Sequence, residues 1–110
     1  MDRELKRGTL EMLILRLLHE KDLYGYEIVT TLTERTDGGI TMKEGTLYPV
    51  LYRMDDAGFV EPYWETQERA VPRKYYRITD SGKKHLHELE QQWWNFARAV
   101  SNIIPKEKAR

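Results

Sequence analysis

Five aliphatic residues, Leu10, Leu13, Ile14, Leu17 and Leu18, fall at the i, i+3, i+4, i+7, i+8 spacing of one helical face, which predicts a first helix over residues 5–20. A second set, Leu5, Met12 and Leu15, lies on another side of the same helix. It is therefore apolar over more of its circumference than one small core requires, and a further body is expected to cover it. Ile28, Val29 and Leu32 define a second, shorter helix between Asp22 and Arg35, with Asp22 as its expected cap and Gly38-Gly39 ending it. Thr41-Met42-Lys43-Glu44 has the T-x-x-E form of a capping box and predicts the start of a third helix, whose core stripe is Leu47, Val50, Leu51 and Met54 and whose end is Gly58. Pro49 lies inside that helix and predicts a local distortion, because proline lacks an amide hydrogen.

The period then changes. Phe59, Val60, Tyr63 and Trp64 form a short β-prone run, and Pro62 confines it to a sheet edge. Arg73 to Ile78 is a second such run, and the polar segment from Thr66 to Pro72 between them reads as a hairpin turn. Thr79 or Asp80 caps a last helix that extends to about Ile104, ahead of Pro105 and a charged tail. On it Leu86, Leu89, Trp93, Phe96, Val100 and Ile103 are separated by alternating steps of three and four, a heptad seam. So regular a stripe beyond a compact unit calls for a partner helix. The economical partner is a second copy, with Leu5 and Met12 of the first helix joining the homodimer interface.

Composition narrows the chemistry. A chain of 110 residues that is 40% hydrophobic and 33% charged is expected to fold as one domain. Eighteen basic and eighteen acidic residues cancel, so any nucleic-acid signal is local: Arg69, Arg73, Lys74 and Arg77 form a run with no acid between Glu68 and Asp80. The absence of cysteine excludes disulfides, thiolate catalysis and cysteine-bound metals. The charged N-terminus is unlike a secretion signal, and no apolar run approaches the ~20 residues of a membrane span, so a cytoplasmic location with no membrane partner is expected. No metal site or cofactor is expected either. His85 and His87 are two apart and point to different sides of a helix, and His19 is remote from both. Asp55-Asp56 reads as solvated surface at a helix end, and no phosphate-cradling glycine motif is present. The chain is not expected to be an enzyme.

The fold class that follows is mainly α with a small β-hairpin (α+β), in the order of a winged helix-turn-helix with a C-terminal dimerisation helix. Residues 1–80 form the expected DNA-binding unit, and residues 81–110 the dimerisation helix and a short tail. Tyr24-Gly25-Tyr26-Glu27-Ile28, Glu44-Gly45-Thr46-Leu47-Tyr48-Pro49-Val50-Leu51, Asp56-Ala57-Gly58-Phe59-Val60 and Pro72-Arg73-Lys74-Tyr75-Tyr76-Arg77-Ile78-Thr79 stand in that order. Together they closely resemble the PadR family of bacterial transcriptional regulators, in its small subgroup with one C-terminal helix. The resemblance implies a homodimer built by the first and last helices, with the third helices and wings on promoter DNA, usually as a repressor. Met42-Lys43 departs from the pattern, since many relatives carry a serine near the start of the third helix.

If Leu47, Val50, Leu51 and Met54 face the core, then Lys43, Thr46 and Tyr48 reach the major groove of double-stranded DNA, where an inverted repeat would match the dimer. Tyr52 and Arg53 either touch DNA or brace the fold. Arg69, Arg73 and Lys74 meet phosphate or enter the minor groove, the plain alternative being a solvated basic strand. Lys6, Arg7 and Thr9 are candidates for further backbone contacts, and Arg77 and Tyr76 are placed deeper in the sheet. Trp93 and Trp94 cannot share one helical face. Trp93 on the seam is either core packing or, with Phe96, Val100, Met12 and Leu15, the wall of a cavity between protomers for a planar, apolar, drug-like effector that relieves repression. The competing function is a winged-helix module that binds protein instead of DNA.

Overall fold

The computed structural model describes residues 3–66 and 70–106, with side chains from residue 7 onward. Arg69 and the side chains of Leu5 and Lys6 therefore lie outside the described residues. Four helices and three short strands follow one another as α1 (Arg3–Glu20), β1 (Leu23–Tyr24), α2 (Gly25–Arg35), α3 (Glu44–Asp56), β2 (Val60–Glu65), β3 (Arg73–Ile78) and α4 (Asp80–Ser101). This is the expected α+β architecture with one addition. The hairpin is completed to a three-stranded antiparallel sheet of order β1-β3-β2 by the two residues of β1, which pair Leu23 with Tyr76 and Tyr24 with Tyr75. Two residues are too few to show a period.

The register of the hairpin sorts the wing into two faces. Val60 opposes Ile78, Tyr63 opposes Tyr75 and Glu65 opposes Arg73. Lys74, Tyr76 and Ile78 consequently point toward the helices, while Arg73, Tyr75 and Arg77 point outward. Pro62 sits on the edge strand β2, where its missing amide leaves no ladder bond unmade inside the sheet.

The core is continuous. Ile14, Leu15 and Leu18 of α1, Ile28 and Leu32 of α2, Leu47, Leu51 and Met54 of α3, Val60 and Tyr76 of the sheet and Leu86 of α4 are all buried in it. At the end of α3, Gly58 at φ +81° turns the chain so that Phe59 donates its amide to the Met54 carbonyl at 2.8 Å. Thr79 caps α4 by accepting the Gly82 amide at 2.9 Å and donates its hydroxyl to the Gly58 carbonyl at 2.6 Å. A β-carbon at Gly82 would lie 2.0 Å from the Phe59 carbonyl oxygen, so only glycine allows α4 to leave the sheet this closely.

Several local expectations are corrected. The Thr41 capping box does not form. Lys43 is the N-cap of α3 without a side-chain cap bond, because Ile40 and Met42 pack on the core and hold the preceding segment out of helical geometry. The Thr36 hydroxyl donates to the Leu32 carbonyl at 2.8 Å and accepts the Ile40 amide at 3.0 Å, fixing the path of that segment. Asp22 does not cap α2. Its carboxylate accepts the Tyr63 hydroxyl at 2.7 Å, and the Glu27 carboxylate accepts the Tyr24 amide at 3.2 Å instead. α3 runs unbroken through an exposed Pro49, which has no amide to give the Gly45 carbonyl.

The heptad stripe also changes role along its length. Leu86, 2% exposed, belongs to the core of its own chain, as do Met12 and Leu15, because the first turns of α4 pack across α1 and cover its second apolar side. Leu89 and Trp93 pack half-buried at the margin. From Phe96 onward the stripe is exposed, and Ile103, beyond the end of α4, is 84% exposed.

Candidate nucleic-acid interface

The stripe that buries Leu47, Val50, Leu51 and Met54 leaves the opposite side of α3 in solvent: Lys43, Glu44, Gly45, Thr46, Pro49, Tyr52 and Arg53 are exposed and Tyr48 is half-buried. Tyr48 and Tyr52, one turn apart, stack at 6.1 Å between ring centroids. The Tyr48 hydroxyl lies over Gly25 at the start of α2, where a β-carbon would meet it at 2.5 Å. Burial holds that hydroxyl above the ordinary tyrosine range, with Glu44 adding to the effect.

The wing faces this surface across a groove of about 480 Å³. Lys74 projects its ammonium between Tyr52 and Tyr76, 5.8 Å from each ring centroid, and the Arg73 guanidinium lies 4.6 Å from the Tyr24 ring. Tyr24, Gly25 and Tyr26 from the start of α2 line the same groove, with Trp64 of β2 and Glu44 of α3. Tyr24, Tyr26 and Trp64 were not among the sequence candidates, and the Tyr24-Gly25-Tyr26 triplet is the signal that marks two of them.

Two further cations of the candidate set are engaged elsewhere. Arg77 binds Glu61 at 3.0 Å and lies over Tyr63, so it is exposed on the outer face instead of deep in the sheet. Arg53, exposed on α3, approaches Glu11 of α1 to 4.0 Å, and Glu11 is also 3.8 Å from His85. Among the described residues Lys43, Arg73 and Lys74 form no ion pair with a carboxylate. Arg7 is exposed on α1. Thr9 is half-buried and lines both a groove shared with Lys43 and Thr46 and a smaller pocket between α1 and α4.

That smaller pocket holds about 250 Å³ and is lined by Gly8, Thr9, Met12, Leu89, Gln92, Trp93 and Phe96. Met12, Trp93 and Phe96 of the expected cavity wall meet there. Leu15 is buried behind them and does not line it, and Val100 lies beyond its edge. Phe59 and His85 stack at 4.1 Å, and no group of three potential metal ligands occurs among the described residues. Nor is any described helix long and apolar enough to cross a membrane.

Comparison with known proteins places this arrangement. The sequence pattern of the Transcriptional regulator PadR-like family matches residues 14–88. An uncharacterised protein of Lysinibacillus sphaericus is 45% identical over 87 residues, covering 79% of this chain and 80% of that protein. The negative transcriptional regulator PadR of Bacillus subtilis is 34% identical over 80 residues, covering 73% of this chain but only 44% of its own length. Among solved structures, a transcriptional regulator from Clostridium thermocellum superposes with a TM-score of 0.80 at 33% identity, covering 96% of this chain and 99% of that one.

Proposed function

Because the chain belongs to the PadR-like family of transcriptional regulators, we propose that it is a homodimeric repressor that binds an inverted repeat in double-stranded promoter DNA. In this reading α3 lies in the major groove and presents Lys43, Thr46 and Tyr48 to base edges, with Tyr52 beside them. Arg73 and Lys74 of the wing meet the flanking phosphates, where positive charge gains from counterion release. The supporting observation is that the exposed face of α3 and the wing cations that form no ion pair with a carboxylate among the described residues border one groove. An elongated body of 55 × 31 × 24 Å, with the exposed apolar end of α4, supports pairing through Phe96, Val100 and Ile103. Leu89 and Trp93 would flank that contact.

Selection of sites from a random double-stranded pool, followed by salt titration of the best site, tests this function. An inverted repeat with half-sites ~34 Å apart and a steep salt slope is the expected result. A folded dimer that enriches no sequence would refute it and favour a protein-binding module.

The pocket between α1 and α4 supports a finer reading, in which a planar apolar effector binds against Trp93, Phe96 and Met12 and relieves repression. Its lining is largely apolar, with Thr9 and Gln92 as polar groups, a composition typical of small-molecule sites. Quenching of Trp93 fluorescence by such a compound, coupled to release of DNA, is the expected signature. Quenching without any change in DNA affinity would remove the regulatory role.

A further inference from the structure

Among the described residues the Tyr76 hydroxyl has no hydrogen-bond partner, and it is buried in a residue only 1% exposed that lines the groove between α3 and the wing. A buried donor left unpaired is costly in the free protein, and a ligand that accepts its proton recovers that cost. Two further features face the same groove. The first turn of α2, at Gly25 and Tyr26, carries amides without intrahelical acceptors and the positive end of the helix dipole. Lys74 holds its ammonium 5.8 Å from the Tyr76 ring, with Arg73 on the rim.

We propose that this groove is a seat for one phosphoryl group, held by the Tyr76 hydroxyl, the Lys74 ammonium and the amides that open α2. This rests on the DNA-binding reading, which supplies a backbone phosphodiester as the occupant. Glu44 lines the same groove, and its carboxylate repels an anion near it, so Lys74 and Arg73 supply the charge that favours a phosphoryl group. Tyr52 lines the same groove, stacked on Tyr48 and 5.8 Å from the Lys74 ammonium, and a ligand that reaches the Tyr76 hydroxyl has to displace the atoms that now bury it. Burial pushes the Tyr76 phenol up to about 12, which keeps it a neutral donor.

A neutral donor and a cation leave different marks. Tyr76→Phe deletes only the oxygen and keeps the ring in the core, so its melting temperature should equal or exceed that of the unsubstituted protein. Its affinity for the selected DNA should fall at least fivefold with an unchanged salt slope, since no counterion is involved. Lys74→Gln should weaken binding and lower the slope by about 1. Tyr63→Phe, which loses a hydroxyl on the outer face, should bind DNA normally. A titration of the DNA-free protein with inorganic phosphate, followed at the Gly25, Tyr26 and Lys74 amides, separates the sources. Loss of those shifts in Tyr76→Phe with unchanged DNA affinity assigns the seat to a free phosphoryl ligand. Unchanged DNA affinity together with unchanged phosphate shifts overturns the seat. If the parent protein binds no DNA, the repressor reading fails, and the phosphate titration alone decides the seat.

Discussion

Arg16 of α1 grips Glu90 of α4 across 74 residues of sequence, with its Nη2 at 2.6 and 2.7 Å from the two carboxylate oxygens and its Nε at 3.1 Å from one of them. The pair ties the outer flank of the helix that leaves the core to the helix that anchors the N-terminal half. Both side chains keep partial contact with solvent, so screening limits its worth. Glu90→Ala should destabilise the fold by about 1 kcal/mol at low salt, a few degrees in melting temperature, and by visibly less in 1 M salt. Thermal unfolding at the two ionic strengths checks it; an effect independent of salt would mean that packing and not charge holds the contact.

Gly82 should tolerate no side chain. Its hypothetical β-carbon would meet a backbone carbonyl, which cannot rotate away as a side chain would. Gly82→Ala is expected to cost about 2 to 3 kcal/mol in urea unfolding. A neutral result would show that α4 can leave the sheet at another angle.

Two residues of one stripe should behave differently. Leu86→Ala opens a cavity in the core of the single chain and should cost about 2 to 5 kcal/mol. Phe96→Ala should leave the unfolding of the monomer nearly unchanged and weaken self-association, read by sedimentation as a function of concentration. Equal effects on both properties would place the two residues in one core.

Tyr63 donates its hydroxyl to Asp22, and that hydrogen bond, the largest influence on it, raises its pKa to about 12 from an ordinary 10. The folded value lies above the unfolded one, so the contribution is complete below about pH 10 and is lost as the pH rises from 10 through 12. Chemical denaturation across that range should therefore show a shallower alkaline loss of stability in Tyr63→Phe than in the parent. Identical profiles would mean that the bond to Asp22 contributes nothing.

Charge on the wing should matter residue by residue. Arg73→Ala with Lys74→Ala should weaken binding to all DNA sequences and reduce the salt slope by about 2. Arg77→Ala should leave the slope unchanged, because Glu61 already neutralises it. A slope that falls with Arg77 and not with the other pair would mean that the cation paired with Glu61, and not Arg73 and Lys74, meets the phosphates.

Helix positions and core stripes were legible because burial imposes a period: Leu47, Val50, Leu51 and Met54 could share one face only in a helix, and β3 runs from Arg73 to Ile78, the bounds of its β-prone run. The strand β1 was not legible, since its two residues form a strand only through their pairing with Tyr75 and Tyr76. The capping box failed for a related reason. Thr41 and Glu44 have the right spacing, but Ile40 and Met42 gain more by packing on the core than a cap would return.

Of the candidate interface, the residue types and their motif were readable, and their partners were not. Arg77 and Arg73 are four apart in sequence and equivalent by charge, yet one is paired with Glu61 and the other lies over Tyr24. Tyr76 passes in sequence for an ordinary strand tyrosine, and only the fold shows its hydroxyl orphaned beside a groove.

Local periodicity and motif spacing determined the helices, the hairpin and the family, because each depends on residues close together in the chain. Tertiary structure decided which chain buries Leu86 and, among the described residues, which cations remain unpaired and which polar atom lacks a partner. Those properties depend on distances between segments far apart in sequence, as between Arg16 and Glu90, and no local pattern encodes such a distance.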